Sequence, residues 1–304
     1  MGPLRRCSIL GRNEATGHGS MVQVIVNAGQ NGLEFDRAAL SRALADLPPN
    51  APIVILIHGY KYAPGTEGHC PHRTILAERA PRRNWKVISW PRHLGIGGRA
   101  EGLVIAFGWN AIGSIWQAYR NAGDAGRALA GLIATLDRSV HMLGHSLGAR
   151  VALSATAHAP AGRIGRLVLI AGAELRSRAR AAMASPAGRL ADVLNVTSGE
   201  NAVFDLMLEA VMGFRGRALG AGLPGLAGWT DLPVDTPATR ARLARFGYRI
   251  GAPSRKICHW SLYLRPGLFP LYAAVIRGDL PFAWLGEPTH SRAHLLPFAW
   301  NTSS

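Results

Sequence analysis

Val140-His141-Met142-Leu143-Gly144-His145-Ser146-Leu147-Gly148-Ala149 carries the clearest structural pattern in the sequence. An apolar, partly β-branched run stops at Gly144, and small and apolar residues recur at helical spacing from Leu147 to His158. The pattern reads as a buried strand that turns sharply into a helix, with Ser146 at the turn. Gly144 and Gly148 complete a Gly-x-Ser-x-Gly motif. A serine on so tight a turn takes a strained backbone conformation, and side chains two residues to either side would collide with neighbouring elements unless nearly absent. His145 occupies the variable position before the serine and is read as pointing away from the serine's task.

Working outward, Met21 to Ala28 predicts a first strand, and Phe35 to Leu47 a helix stopped by Pro48 and Pro49. Ile53 to Ile57 is wholly apolar, as in a strand buried on both faces, and leads directly into His58, Gly59 and Tyr60. Trp85 to Trp90 reads as a strand closed by Pro91, Leu103 to Tyr119 as a buried helix, and Asp124 to Leu136 as a further helix. After the motif, Arg166 to Ala171 and Val193 to Thr197 read as strands, with Lys256 to Cys258 a short last one. Alternating strands and helices predict an α/β fold with a mostly parallel sheet covered by helices on both faces.

All 304 residues are read as one domain. Residues 206–250 exceed one crossover, have a Gly-rich apolar middle from Gly213 to Gly228, and are read as a cap-like insertion. Within them Thr236 and Pro237 open a helix as N-cap and first helical residue, running to about Phe246.

The formal net charge is +16. Arginines at 79, 82 and 83, at 176, 178 and 180, and at 240, 242 and 245 are far apart and mostly at helical spacing, so solvated helix faces account for them better than nucleic acid. No apolar run reaches the roughly 18 residues needed to span a bilayer. The N-terminus, with Arg5 and Arg6, has no apolar signal core, and a cytoplasmic location is expected. Cys7, Cys70 and Cys258, odd in number and scattered, suit a reducing compartment.

A hydrolytic serine needs a base for its proton, a carboxylate to orient that base, and amide donors for the oxygen that becomes negative. The N–H of Leu147, next after the serine, and that of Tyr60, in the loop leaving the Ile53 to Ile57 strand, stand where such donors are needed. His58 and Gly59 let that loop come close to a substrate.

With these features the chain resembles the α/β-hydrolase superfamily, and more closely its bacterial esterase- and lipase-like members with a His-Gly oxyanion loop. The resemblance covers about Val22 to Ile276 and rests on His58-Gly59-Tyr60, Gly144-His145-Ser146-Leu147-Gly148, and His259 followed by Trp260. It implies a triad in the order serine, acid, histidine, which Ser146, Glu200 and His259 follow. Glu200 comes directly after the Val193 to Ser198 segment, where the family places its acid. Asp205, the alternative acid, falls in the first turn of a helix predicted over Val203 to Met212. Of the 11 histidines, His259 alone is late, follows the acid and lies beside a strand end; as base it would give a pH dependence near 6.5.

His69, Cys70 and His72, and separately His290 and His294, approach metal-ligand spacing, but neither group is complete. No metal or other cofactor is expected. The residues predict hydrolysis of a small-molecule ester with an apolar acyl or alcohol part, through an acyl-enzyme on Ser146. A thioesterase, a membrane-associated lipase on the same machinery, and a non-catalytic binding protein on the same fold compete with that reading.

Overall fold

Ile53, Ile55 and Ile57 pack into one hydrophobic layer while Val54 and Leu56 pack into another, and all five are buried. Successive side chains on a strand point to opposite faces, so an unbroken apolar run belongs to a strand covered on both sides. The computed structural model describes residues 22–81, 84–96 and 101–285. Its sheet contains β1 (Gln23–Gly29), β2 (Gly32–Phe35), β3 (Ile53–Ile57), β4 (Leu103–Gly108), β5 (Val140–His145), β6 (Ile164–Ile170), β7 (Asp192–Thr197) and β8 (Trp229–Pro233). The order across the sheet is β2-β1-β4-β3-β5-β6-β7-β8. β2 pairs antiparallel with β1, and every other pairing is parallel.

The helices are α1 (Arg37–Ala45), α2 (Trp90–Leu94), α3 (Ile115–Ala134), α4 (Leu147–His158), α5 (Arg176–Met183), α6 (Ala202–Val211), α7 (Pro237–Arg245), α8 (Ser261–Leu264) and α9 (Leu268–Arg277). Residues of α1, α3, α4 and α5 join Ile53, Ile55, Ile57, Ile105 and Met142 in one layer. Residues of α2, α7, α8 and α9 join Val54, Leu56, Val104, Leu143 and Val196 in the other. The chain is thus an α/β protein with a mostly parallel sheet between two layers of helices.

Several expectations hold closely. β3, α4 and β7 fall where the apolar patterns put them, and α7 starts after Thr236, whose hydroxyl accepts from the Thr239 N–H at 3.2 Å. Others are corrected. Leu103 to Tyr119 is β4, a loop and the start of α3, because five consecutive buried apolar residues suit a parallel strand as well as a helix. Trp85 to Ser89 is irregular chain and Trp90 opens α2, where Ser89 caps the helix and Pro91 sits in its first turn. Phe35 to Leu47 splits into the end of β2 and α1, with Asp36 capping the helix.

The last strand is β8, while Lys256 to Cys258 is irregular. β8 lies within residues 206–250 and pairs along its length with β7, and Leu219 and Leu223 are buried in the main core. This part of the segment is built into the sheet and its core. Among the described residues, no helix is long and apolar enough to cross a membrane.

Candidate active site

Ser146 joins β5 to α4 with φ 55° and ψ −123°, a positive φ that a non-glycine residue adopts only when its surroundings compel it. The surroundings here are its own backbone partners. Its N–H donates to the Ile170 carbonyl at 3.1 Å, and its carbonyl accepts from the N–H groups of Ala149 and Ala173 at 3.0 and 2.9 Å. Gly144 and Gly148 face each other across the turn, and a Cβ on Gly148 would meet the His58 carbonyl oxygen at 2.8 Å and come closer still to that of Ile57. Neither oxygen can yield without moving the end of β3. Gly148→Ala is therefore expected to cost about 1–3 kcal/mol and to displace the His58 to Tyr60 loop, read as a lower urea midpoint and lower turnover in the folded fraction.

Gly59 is the matching close approach from the other side: a Cβ there would lie 2.8 Å from Ser146 Cβ and 2.9 Å from the His145 carbonyl oxygen. The loop is pinned by its neighbour. His58 Nε2 accepts from the Trp109 N–H at 3.1 Å, so the proton is on Nδ1, which donates to the Gly59 carbonyl at 2.9 Å. The Trp109 indole N–H donates to the His58 carbonyl at 3.0 Å, and the two rings stack. The Lys61 N–H donates to Ala111, and the Ala111 N–H to Tyr62. The N–H groups of Tyr60 and Leu147 find no acceptor among the described residues. Leu147 is the first residue of α4, where helix geometry leaves N–H groups unpaired and the helix dipole favours negative charge.

His145, the elbow residue before the serine, turns its ring toward the loop that carries His259. Its Nε2–H donates to the His259 carbonyl at 3.1 Å, and the two rings lie 4.7 Å apart. The residue before the serine thus anchors the loop that carries His259. The Phe204 ring stacks on His259 at 4.5 Å, and Trp260 is covered by Lys86 Nζ at 3.7 Å. No hydrogen bond joins Ser146 to His259 among the described residues; such bonds often close only when substrate binds.

The acid is where the structure departs most from the sequence. Glu200 does not meet His259. It is buried in an ion pair with Arg265, also accepts from Ser198 Oγ and from the Arg255 N–H, and its carbonyl accepts from the Cys258 N–H at 2.9 Å. Each carboxylate oxygen is committed, and the pair ties down the loop before His259. His259 Nδ1 instead bonds Asn201 Oδ1 at 2.6 Å, and Asn201 Nδ2 donates to Asp205 Oδ1 at 3.0 Å. Asp205 stands one residue removed from the imidazole. Asn201 is an amide where a carboxylate is the usual partner of a base, and the mark it leaves in the sequence is its place in the same Ser198-Gly199-Glu200-Asn201 turn.

The buried histidines are held neutral. Desolvation lowers His58 to about 3 and His72, His141 and His145 to about 4, and it pushes His259 well below 6.5, helped by His145. Between those values and about 6.5 the unfolded chain binds protons that the folded chain refuses, so stability is present above about 6.5 and is lost as pH falls. Asp205, raised by burial to about 6, acts the opposite way but is a single group. The denaturant midpoint is therefore expected to drop steadily from about pH 6.5 toward pH 4, with proton uptake on unfolding; a flat midpoint over that range would contradict the assignment.

His69 Nδ1 donates to the Lys61 carbonyl, and His72 Nε2 to Asn27 Oδ1. With Cys70 they form no cluster able to hold a metal among the described residues. His290 and His294 lie outside the described residues.

Set against known proteins, the chain matches no family model and no curated sequence.

Proposed function

We propose that this chain is a serine hydrolase of the α/β-hydrolase type that cleaves a carboxylic ester. The observation that carries the reading is Ser146, strained to φ 55° at a strand-to-helix turn and flanked by the unpaired N–H groups of Leu147 and Tyr60. Ser146 Oγ attacks the substrate carbonyl carbon, and its proton passes to His259 Nε2. The carbonyl oxygen takes the negative charge beside the two N–H groups. Collapse expels the alcohol, which takes the proton from His259. Water, deprotonated by His259, then attacks the acyl carbon; the bond to Ser146 Oγ breaks, the carboxylic acid leaves, and His259 returns the proton to Ser146 Oγ. Asn201 orients His259 in the role for which the sequence suggested Glu200.

An apolar substrate is favoured by what surrounds the histidine. Phe204 covers it, and the same helix exposes Val203, Leu206 and Met207, with exposed Trp116 bonded to the end of that helix through its indole N–H. The same side chains favour, as a second reading, a lipase acting at a membrane surface. The test is a panel of p-nitrophenyl esters of increasing acyl length, each with its thioester counterpart, and a triacylglycerol emulsion. Turnover that rises with acyl length in the soluble esters supports the esterase reading, and turnover confined to the emulsion supports the lipase. Failure with every substrate would count against both.

A further inference from the structure

An asparagine that orients a catalytic histidine has a weakness that an aspartate lacks. Its amide carries an acceptor on one side and donors on the other, and a neutral imidazole has two tautomers. Two pairings of Asn201 with His259 are therefore open in principle. If Oδ1 faces Nδ1, the proton sits on Nδ1 and Nε2 keeps its lone pair. If Nδ2 faces Nδ1, the proton moves to Nε2 and the imidazole has nothing with which to take a proton from Ser146. An ionised carboxylate resolves the choice, because it only accepts. Asp205 Oδ1 lies 3.0 Å from Asn201 Nδ2, which obliges Oδ1 to turn toward His259 Nδ1, 2.6 Å away.

We infer that Asp205 is a positioning residue whose carboxylate fixes the Asn201 amide and so holds His259 in the tautomer with a free Nε2. The inference rests on the hydrolase reading only for its catalytic meaning; the tautomer itself is a property of the three side chains.

The carboxylate is placed so that this one bond matters. Its Oδ2 is pressed against Gly220, where a Cβ would lie 2.5 Å from Asp205 Cγ. No cation pairs with it among the described residues. The charged group that acts on it is Glu209, one turn along α6, which is itself held by Arg217 and the Ala218 N–H. Glu200, in the preceding turn, is taken by Arg265, and His259 faces Asp205 only through Asn201. Burial first, then Glu209, raises the Asp205 carboxyl to about 6 against the bond from Asn201. Below that pH a protonated carboxyl can donate as well as accept, and the amide loses its obligatory orientation. Burial, with His145 beside it, pushes His259 well below its ordinary range and so favours the neutral ring. The pH dependence of turnover should then carry the titration of Asp205, near 6.

The experiment is nitrogen-proton correlation NMR of the imidazoles in the full chain labelled with ¹⁵N-histidine, with the His259 signal identified by its loss in His259→Gln. At pH 7.5 the wild type should show His259 protonated on Nδ1 alone. Asp205→Asn should bring the two tautomers to comparable populations, and kcat should fall by at least the factor lost from the Nδ1–H population, with KM unchanged. Adding Asn201→Asp to Asp205→Asn should restore the single tautomer, because an acceptor-only side chain then faces His259 directly. Lowering the wild type to pH 5 should produce the same mixing with a midpoint near 6, and that titration decides the matter if the variants do not fold. An unchanged Nδ1–H tautomer in Asp205→Asn and in the wild type at pH 5 would overturn the inference. Failure of the hydrolase reading appears separately, as absence of ester turnover with the tautomer result intact.

Discussion

Replacing Ser146 with alanine is expected to lower kcat for an activated ester by about 10⁵–10⁶-fold, the scale seen when the nucleophile of a serine protease is removed. The backbone partners of residue 146 are its own N–H and carbonyl, which alanine keeps, and Ser146 is already a non-glycine residue at positive φ. The thermal midpoint should therefore stay close to that of the wild type. Rates of the purified variant on a p-nitrophenyl ester, with circular dichroism for the fold, check the expectation. Turnover within tenfold of wild type would exclude Ser146 as nucleophile.

The second large effect separates Asn201 from its neighbour Glu200. Asn201→Ala removes the only hydrogen bond to His259 Nδ1 among the described residues, and loss of a correctly oriented imidazole costs up to about 10⁴ in kcat in the protease example. A fall of about 10²–10⁴ with modest change in KM is expected. Glu200→Gln should act on stability instead. Glu200 and Arg265 are each only 3% exposed at the side chain, and breaking such a buried pair leaves an uncompensated charge at a cost of about 3–5 kcal/mol. Its folded fraction should keep kcat near the wild-type value, as measured by active-site titration against denaturant midpoint. If Glu200→Gln carries the catalytic loss and Asn201→Ala does not, the assignment of the two residues is reversed.

Where local chemistry decided an element, the sequence was a sufficient guide. β3 and β5 announce themselves as short apolar runs, Ser146 by the two glycines that clear its turn, and α7 by its Thr-Pro start. Where the outcome depended on distant partners, it was not. Leu103 to Phe107 is a strand because β1 and β3 bond it on both sides, which its apolar run alone does not reveal. β2 is short, its side chains alternate between exposed and half-buried, and it exists as the return arm of a hairpin with β1. Glu200 and Asn201 sit in a 3-10 turn, Gly199–Asn201, whose successive residues point about 120° apart. One of them had to face inward and the other across to His259, and Arg265, 65 residues further on, drew Glu200 in. A buried arginine that far along the chain leaves no mark near the turn itself.

Covalent labelling tests whether Ser146 is an activated nucleophile. The full chain is incubated with a fluorophosphonate at neutral pH, digested, and the adduct located by mass spectrometry. A single adduct on Ser146, lost in Ser146→Ala, is the predicted result, because only an activated serine beside oxyanion donors displaces the fluoride. A folded protein that carries no adduct, or carries it on another residue, would contradict the account.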